Sequence, residues 1–288
     1  MKTIKKINWL LGIGILVFFV SCEKEYSNEN GSAADPLIVG ANCRISKIVY
    51  IDTVGIDKGM GRLEANINNL DIVTRITRYD SISNTIELQR DITYLSDTIY
   101  INPDEYFIVD VNKRITRLHG LTDPTDPASL EFDLFYNYNT AGYLIGKDYF
   151  LTIAPTTPLY RVNYIYTAGN LTRMTSTDLS TGDLDVDADL SYYPNIIPKR
   201  YIYIFPDEVD YADYTQFFNF GLKNYNAVKK MTVRNYDPGN VVRDSAVSRF
   251  TNYIISRDTY VLSVQMDSMA QPSIPALAGK LSFSYHCK

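Results

Sequence analysis

The stretch Tyr136-Asn-Tyr-Asn-Thr-Ala-Gly-Tyr-Leu144 carries the pattern that decides the fold. Two tyrosines two residues apart fall on one face of a β-strand, and the glycine supplies the positive φ that a tight turn requires. Tyr164-Ile-Tyr-Thr-Ala-Gly-Asn-Leu171 follows the same order, and Tyr253–Val264 resembles a third copy with Asp258-Thr259 at its turn. Each copy predicts a β-hairpin; the alternative is coincidence in a chain with 24 tyrosines.

Alternation of apolar and polar residues extends this prediction along the chain. It is found in Arg44–Ile51, Ile86–Arg90, Arg161–Tyr166 and Lys280–Tyr285, and a period of two is typical of half-buried strands. We therefore predict an all-β fold of more than a dozen strands, an antiparallel meander of consecutive hairpins forming a curved sheet or an open, barrel-like sheet. One or two short helices are expected, the best candidate being Asp207–Gly221.

The first residues are typical of an export signal. Lys2, Lys5 and Lys6 precede an apolar run from Ile7 to Val20, which is shorter than the ~20 residues of a membrane-spanning helix. We predict a signal peptide over residues 1–21, with an uncleaved membrane anchor as the alternative. The ending Phe19-Val-Ser-Cys22 resembles a bacterial lipobox, so the resemblance implies that Cys22 becomes the lipidated N-terminus, carrying palmitate or similar acyl chains.

The predicted boundaries are a lipidated tether over residues 22–40 and one β-rich domain over residues 41–288. The tether is polar and poor in apolar residues, a composition typical of disorder. Its cluster Glu23-Lys-Glu25 is similar to the acidic surface-export signals of Bacteroidetes lipoproteins. This resemblance implies an outer-membrane protein, with the cell surface favoured over the periplasmic face.

Charge and tryptophan content narrow the possible ligands. Removing residues 1–21 takes three of the 28 basic residues, which leaves 25 basic against 33 acidic residues, a net charge of −8. Such a chain repels phosphate backbones, so nucleic acid is excluded as a partner. The only tryptophan, Trp9, leaves with the signal, which counts against a carbohydrate-binding module that depends on indole rings.

Two further cysteines, Cys43 and Cys287, lie near the two ends of the predicted domain. In an oxidising compartment they could form one disulfide that encloses nearly the whole domain. Two separate buried thiols are the alternative.

The chain resembles a family at several of these positions. Hairpins of the form Tyr-x-Tyr-x-x-x-Gly are similar to those of Bacteroidetes lipoproteins with a β-rich domain of unknown function, which are distantly similar to YD-repeat proteins. Phe217–Tyr225 and Ser282–Cys287 resemble the last segments of that family. The family has no established activity, so the resemblance implies a location and a fold but no reaction.

Asp183, Asp185, Asp187 and Asp189 alternate with apolar residues and invite comparison with calcium loops. An EF-hand needs Gly at its sixth position and Glu at its twelfth, where this chain has Ala188 and Pro194. A strand with an acidic outer face is therefore favoured over a weak calcium site, and no metal or cofactor is predicted.

Catalytic motifs are scarce. The chain has two histidines, His119 and His286, and no nucleophile elbow, Walker loop or dinucleotide fingerprint. A pair of carboxylates needs no local motif, so a glycoside hydrolase acting on envelope or host polysaccharide stays open. Asp207, Glu208 and Asp210 are its candidate acids.

The pattern Asp-(Ser/Thr)-aliphatic resembles the O-glycosylation acceptor of exported Bacteroidetes proteins. It places candidate acceptor hydroxyls at Thr53, Ser81, Thr98, Ser245 and Ser268. Turns formed by Asp-Thr or Asp-Ser are the structural alternative.

Together these observations favour a non-catalytic lipoprotein over a hydrolase. Its partners would be the membrane, through the lipid on Cys22, and a protein or glycan ligand bound by exposed tyrosines. An enzyme would require a cleft with two carboxyl groups, whereas a binding protein would show a broad aromatic face or an exposed edge.

Overall fold

The computed structural model of the protein describes residues 39, 43–52, 60–80, 83–122, 128–199, 202–205, 212–268 and 278–287. The predicted signal peptide, Cys22 and nearly all of the predicted tether lie outside the described residues. The all-β prediction is confirmed, since seventeen strands and one four-residue helix make up the regular structure of the described part.

The strands follow one another along the chain with short connections, except between β13 and β14, which residues 193–227 separate. Their bounds are β1 Arg44–Asp52, β2 Met60–Ile67, β3 Val73–Tyr79, β4 Ile86–Asp91, β5 Thr93–Leu95, β6 Thr98–Asn102, β7 Glu105–Val109, β8 Ile115–Leu121, β9 Glu131–Tyr138, β10 Leu144–Leu151, β11 Tyr160–Thr167, β12 Asn170–Asp178, β13 Leu184–Tyr192, β14 Val228–Asp237, β15 Val241–Ile255, β16 Val261–Ser268 and β17 Ala278–His286. The helix of the described residues, α1, is Ala212–Thr215 and lies between β13 and β14.

The strands form one antiparallel meander that closes on itself. From β5 to β17 each strand pairs with the next, and β1 to β4 do the same. β1 also pairs with β17 over Arg44–Asp52 and Gly279–His286. The result is one nearly closed, barrel-shaped sheet.

The junction between β4 and β5 makes this closure possible. Only Ile92 separates the two strands, and its amide donates a hydrogen bond to the Thr74 carbonyl (2.9 Å). β4 and β5 therefore run in one direction as a single stave, so the seventeen strands form sixteen staves. In a meander the direction reverses at each stave, and an even number is needed for the first and last to meet antiparallel.

Each strand has one apolar and one polar face. The fully buried side chains, such as Ile76, Phe107, Leu118 and Met174, belong to one continuous core shared by the whole sheet. Their neighbours one residue away, such as Arg75, Tyr106, Arg117 and Arg173, point to the opposite, outward face, because side chains alternate along a strand. A few polar residues, among them Lys147 and Asn235, share the inward face with the core.

One end of the barrel is occupied by the described residues between β13 and β14, which are 193–199, 202–205 and 212–227 and are here called the closing segment. The Leu222 and Tyr225 amides donate to the Gly142 and Gly169 carbonyls at 2.9 and 3.0 Å, and Asn219 accepts from the Ile115 amide at 2.8 Å. Aromatic side chains of the segment enter the core: Tyr203, Phe217, Phe218 and Phe220. The interior at this end is therefore packed with side chains.

A short helix, α1, lies within the range predicted as helical, Asp207–Gly221, but the predicted end at Gly221 is wrong. Residues 206–211 lie outside the described residues, and the helix that follows ends at Thr215. Tertiary packing overrides the helical pattern, because Phe217, Phe218 and Phe220 must all reach the core. Gly221, predicted as the helix end, has a φ of 84° and lies against the Gly142 carbonyl, where a Cβ atom would be only 2.3 Å from that oxygen.

Inward tyrosines fasten the same end of the barrel. In four hairpins a tyrosine near the end of the second strand donates its hydroxyl to a carbonyl at the start of the first, each at 2.6 Å: Tyr138 to Ile115, Tyr192 to Leu171, Tyr253 to Val228 and Tyr285 to Val261. Burial raises the pKa of the Tyr138, Tyr192 and Tyr285 hydroxyls far above the ordinary value for tyrosine. These hydroxyls therefore stay protonated and can donate.

Cys43 and Cys287 are joined in a disulfide beside the closing strand pair. Cys43 directly precedes β1 and Cys287 directly follows β17, and the adjacent pair Arg44–His286 begins their ladder. The bond therefore links the two staves that complete the barrel, at the end where the closing segment lies.

Replacing both Cys43 and Cys287 by Ser is expected to lower the free energy of unfolding by up to about 5 kcal/mol, because the bond closes a loop of 244 residues. Urea unfolding monitored by circular dichroism measures the loss, and wild type in reductant should match the variant. Free alkylation of both thiols in unreduced wild type would contradict the assignment.

Tyr192→Phe is expected to lower the free energy of unfolding by about 1–2 kcal/mol, because the buried Leu171 carbonyl loses its donor. The matched control is Tyr160→Phe, since Tyr160 is 39% exposed at a strand end. Urea midpoints that do not differ between these two variants would show that the hydroxyl has no fastening role.

Candidate binding surface on the outward face

A row of aromatic and polar side chains crosses five neighbouring strands on the outward face. Each member lies directly opposite the next in the strand register, from β6 to β10. We call this set the aromatic row: Tyr100, Tyr106, His119, Asp133 and Phe150.

Members of the aromatic row contact one another across the strands. The Tyr106 and His119 rings are stacked with centroids 4.8 Å apart, and Tyr100 lies 5.7 Å from Tyr106. His119 Nδ1 is 3.0 Å from Asp133 Oδ1. Cross-strand neighbours of this kind hold each other in place, so the row presents a fixed surface.

Arg117 and Phe135 lie beside the row and extend it. Arg117 donates two hydrogen bonds to Asp133, Nε to Oδ1 at 2.8 Å and Nη2 to Oδ2 at 2.7 Å. Its guanidinium carbon is 5.6 Å from the centroid of the Phe135 ring, within the range of a cation–π contact. Phe135 is 39% exposed and packs edge-on against Phe150 at 5.5 Å.

A groove of about 350 Å³ opens at the Tyr100 end of the row. It lies where β4 and β6 diverge, since β4 pairs with β3 and β6 pairs with β5 and β7. Its lining residues are Asp91, Thr93, Tyr100, Ile101, Asn102 and Pro103. Tyr100 therefore belongs to both the row and the groove.

Ion pairs neutralise the charges around this surface. Besides Arg117 and Asp133, Arg161 Nε lies 2.6 Å from Asp148, and Arg75 Nε lies 2.5 Å from Asp91 in the groove wall. The hydrogen bond from Arg75 lowers the pKa of Asp91, which keeps that carboxyl ionised. The surface is thus polar and aromatic with little net charge.

The acidic alternation predicted as a strand is β13, and its carboxylates face arginines. Arg234 donates to Asp187 at 2.8 Å and to Asp189 at 2.7 Å, and Arg173 lies 3.5 Å from Asp187. Asp183 instead accepts from the Gly239 amide at 3.1 Å. Pairing with arginines of the two neighbouring strands explains how Asp187 and Asp189 fit into the middle of a sheet. The described residues contain no group of three or more possible metal ligands.

The other predicted site residues are scattered. Thr53, Ser81, Asp207, Glu208 and Asp210 lie outside the described residues. Thr98 begins β6 and donates to Asp97 at 3.3 Å, Ser245 lies opposite Arg234 on the outward face of β15, and Ser268 ends β16. Of the two histidines, His119 joins the aromatic row and His286 lies in β17, opposite Arg44.

Sequence reasoning did not find the aromatic row. Its members are spread over some fifty residues of sequence, and only the strand register brings them into line. The available signal was alternation itself, since Tyr100, Tyr106 and His119 each lie one residue from a buried apolar neighbour.

Among the described residues there is no helix of the length and apolarity that crossing a membrane requires.

Comparisons with known proteins agree on the fold. No protein-family model matches the chain, and none of the curated proteins matches it. A porin-like protein from Bacteroides uniformis has a similar structure, with a TM-score of 0.59 and 11% identity over 84% of this chain and 98% of that one. A porin-like protein from Bacteroides vulgatus gives a TM-score of 0.51 and 15% identity over 85% and 99%. At such identities the likeness shows a shared barrel-like fold alone.

Arg234→Met is expected to lower the free energy of unfolding by about 2–3 kcal/mol, because Asp187 would remain buried without its main partner. Urea unfolding measures the loss, with Arg249→Met on the exposed part of β15 as the matched control. Adding Asp187→Asn to Arg234→Met should recover part of the loss; a double variant no better than the single one would contradict the pairing.

Proposed function

We propose that this chain is a lipid-anchored envelope protein whose barrel stands in water and acts by binding, without catalysis. The observation that carries this proposal is the distribution of polarity over the sheet. The apolar faces of the strands point into the barrel, and the charged and hydroxylated faces point outward.

This distribution is the reverse of that in a barrel embedded in lipid. A membrane-spanning barrel needs an outward apolar band about 25 Å tall, and an arginine near the lipid midplane costs about 2–4 kcal/mol. Here Arg75, Arg117 and Arg234 all point outward from within strands and pair with carboxylates. A water-filled channel would also require a polar lumen, whereas this interior is packed with apolar side chains.

The barrel therefore needs another attachment if it belongs to a membrane, and the lipidation of Cys22 supplies it. Cys43 begins the described fold at the end that holds the closing segment, so the chain enters the barrel there. The Val39 amide donates to Asp258 Oδ1 at 3.2 Å and so already contacts the barrel. The 17 residues from Cys22 to Val39 could reach at most about 60 Å when fully extended. Such a tether would leave the outward face free to meet a ligand.

The likeness to porin-like proteins of two Bacteroides species supports an envelope location. The acidic cluster after Cys22 favours the outer membrane and its cell surface. O-glycans at Thr53, Ser81, Thr98, Ser245 or Ser268 would fit the same location. A hydrolase receives less support, because Asp91 in the groove is held by Arg75 rather than poised beside a second acid.

The test compares the wild-type chain with Cys22→Ser in a Bacteroides host. Metabolic labelling with a palmitate analogue should mark the wild type alone. Carbonate extraction of membranes should release into the aqueous fraction the Cys22→Ser chain from which residues 1–21 have been removed, and should leave the wild type behind, because the polar outward face holds no lipid.

Matched controls make both readouts specific. Ser27→Ala lies outside the lipobox and should still be labelled, and an integral barrel protein of the same host should resist extraction. Equal labelling of wild type and Cys22→Ser would refute lipidation. Intact mass shows whether residues 1–21 have been removed from Cys22→Ser, since a retained apolar run Ile7–Val20 would itself anchor the chain. A Cys22→Ser chain that lacks residues 1–21 and still resists extraction would show that the barrel itself enters the bilayer.

A further inference from the structure

We infer that the aromatic row and the adjoining groove bind an uncharged polysaccharide. This inference rests on the proposed binding function and names its ligand class. The five members of the row, together with Arg117, Phe135 and the groove residues, supply the contacts.

The shape of the surface suits an extended chain of sugar rings. Four strand spacings separate β6 from β10, so the row is about 19 Å long at ~4.8 Å per spacing. Aromatic rings of Tyr100, Tyr106 and Phe150 lie along it, with Phe135 at its side. Rings present apolar surface at low entropic cost, and a pyranose can pack on the parts of these rings that their contacts with one another leave exposed.

Fixed polar groups lie between these rings. Asp133 is held by two hydrogen bonds from Arg117 and by His119, and its side chain is 11% exposed. The free edges of the guanidinium and imidazole can hydrogen-bond hydroxyls without reorganising. Groups that are already ordered lose little entropy on binding, so they favour a ligand rich in hydroxyls.

The charge balance decides between ligand classes. Arg117, Arg161 and Arg75 are each paired with a carboxylate, so the surface offers no excess charge to a phosphate-rich or uronic polymer. A protein partner would need a larger apolar centre, because Tyr100, Tyr106 and Phe150 are half-buried and Phe135 is 39% exposed. A neutral glycan matches a surface of aromatic faces and paired charges.

The groove adds a polar end to the site. Asp91, Thr93 and Asn102 line it beside the Tyr100 ring, which combines hydrogen-bonding groups with one aromatic wall. The domain has no tryptophan, but the rings of tyrosine and phenylalanine provide the same kind of stacking surface.

Affinity electrophoresis of the full mature chain, lipidated and in detergent, tests the inference. The probes are glycogen, mannan, laminarin and xylan, with polygalacturonate as the charged comparison and a detergent-matched gel without polymer as the blank. At least one neutral polymer should retard the wild type, and polygalacturonate should not.

Variants then locate the site. Tyr106→Ala and Phe135→Ala should each weaken binding by about tenfold or more, as expected for central aromatic contacts. Tyr106→Phe keeps the ring and should bind nearly as wild type. Ile165→Ala, on the outward face of β11 away from the row, is the matched control and should bind unchanged. Circular dichroism and melting temperature verify that each variant is folded.

Several results would overturn the inference: no retardation by any neutral polymer, stronger retardation by polygalacturonate, or binding unaffected by both alanine variants. Binding of a protein from the cell envelope that Tyr106→Ala abolishes, with no glycan retardation, would assign the row to a protein partner instead. Lipid labelling and carbonate extraction do not depend on polysaccharide binding. If no polysaccharide binds, those two experiments still decide whether the chain is lipid-anchored.

Discussion

The antiparallel pairing of β1 with β17 is the interaction on which the rest of this structure depends. Without it the meander would be an open sheet whose two edge strands expose unpaired backbone groups. Closure with antiparallel pairing requires an even number of staves. β4 and β5 count as one stave because only Ile92 separates them, so seventeen strands give sixteen staves. The Cys43–Cys287 disulfide and the hydroxyl of Tyr285 stabilise the same end of the closing pair.

Closure also determines which faces of the strands meet water. Once the sheet curves into a barrel, one face of every strand is enclosed, and its apolar residues pack with the aromatic side chains of the closing segment. The opposite faces carry ion pairs such as Arg234 with Asp187. The fold is similar to that of porin-like proteins, and the outward polarity is the observation on which the proposed function rests.

Tyrosine has a different role on each of the two faces of the sheet. Tyr138, Tyr192, Tyr253 and Tyr285 point inward and donate to backbone carbonyls, so they fasten hairpins at the closed end. Tyr100 and Tyr106 point outward and line up with His119. Tyrosine suits both roles because its ring can pack in the core or on the surface. Its hydroxyl can donate to a buried carbonyl or hydrogen-bond to solvent.

Sequence alternation by itself determined the all-β class and the hairpin order, because a period of two leaves one face of each strand apolar. It also identified the turns at Gly142 and Gly169, both of which have positive φ. Only the tertiary structure decided the register, the closure and the closing segment. Strand pairing joins residues such as Tyr100 and Phe150 that are distant in sequence, and the packing of Phe217, Phe218 and Phe220 overrides a local helical pattern. The aromatic row exists because of the register, which no local window of sequence encodes.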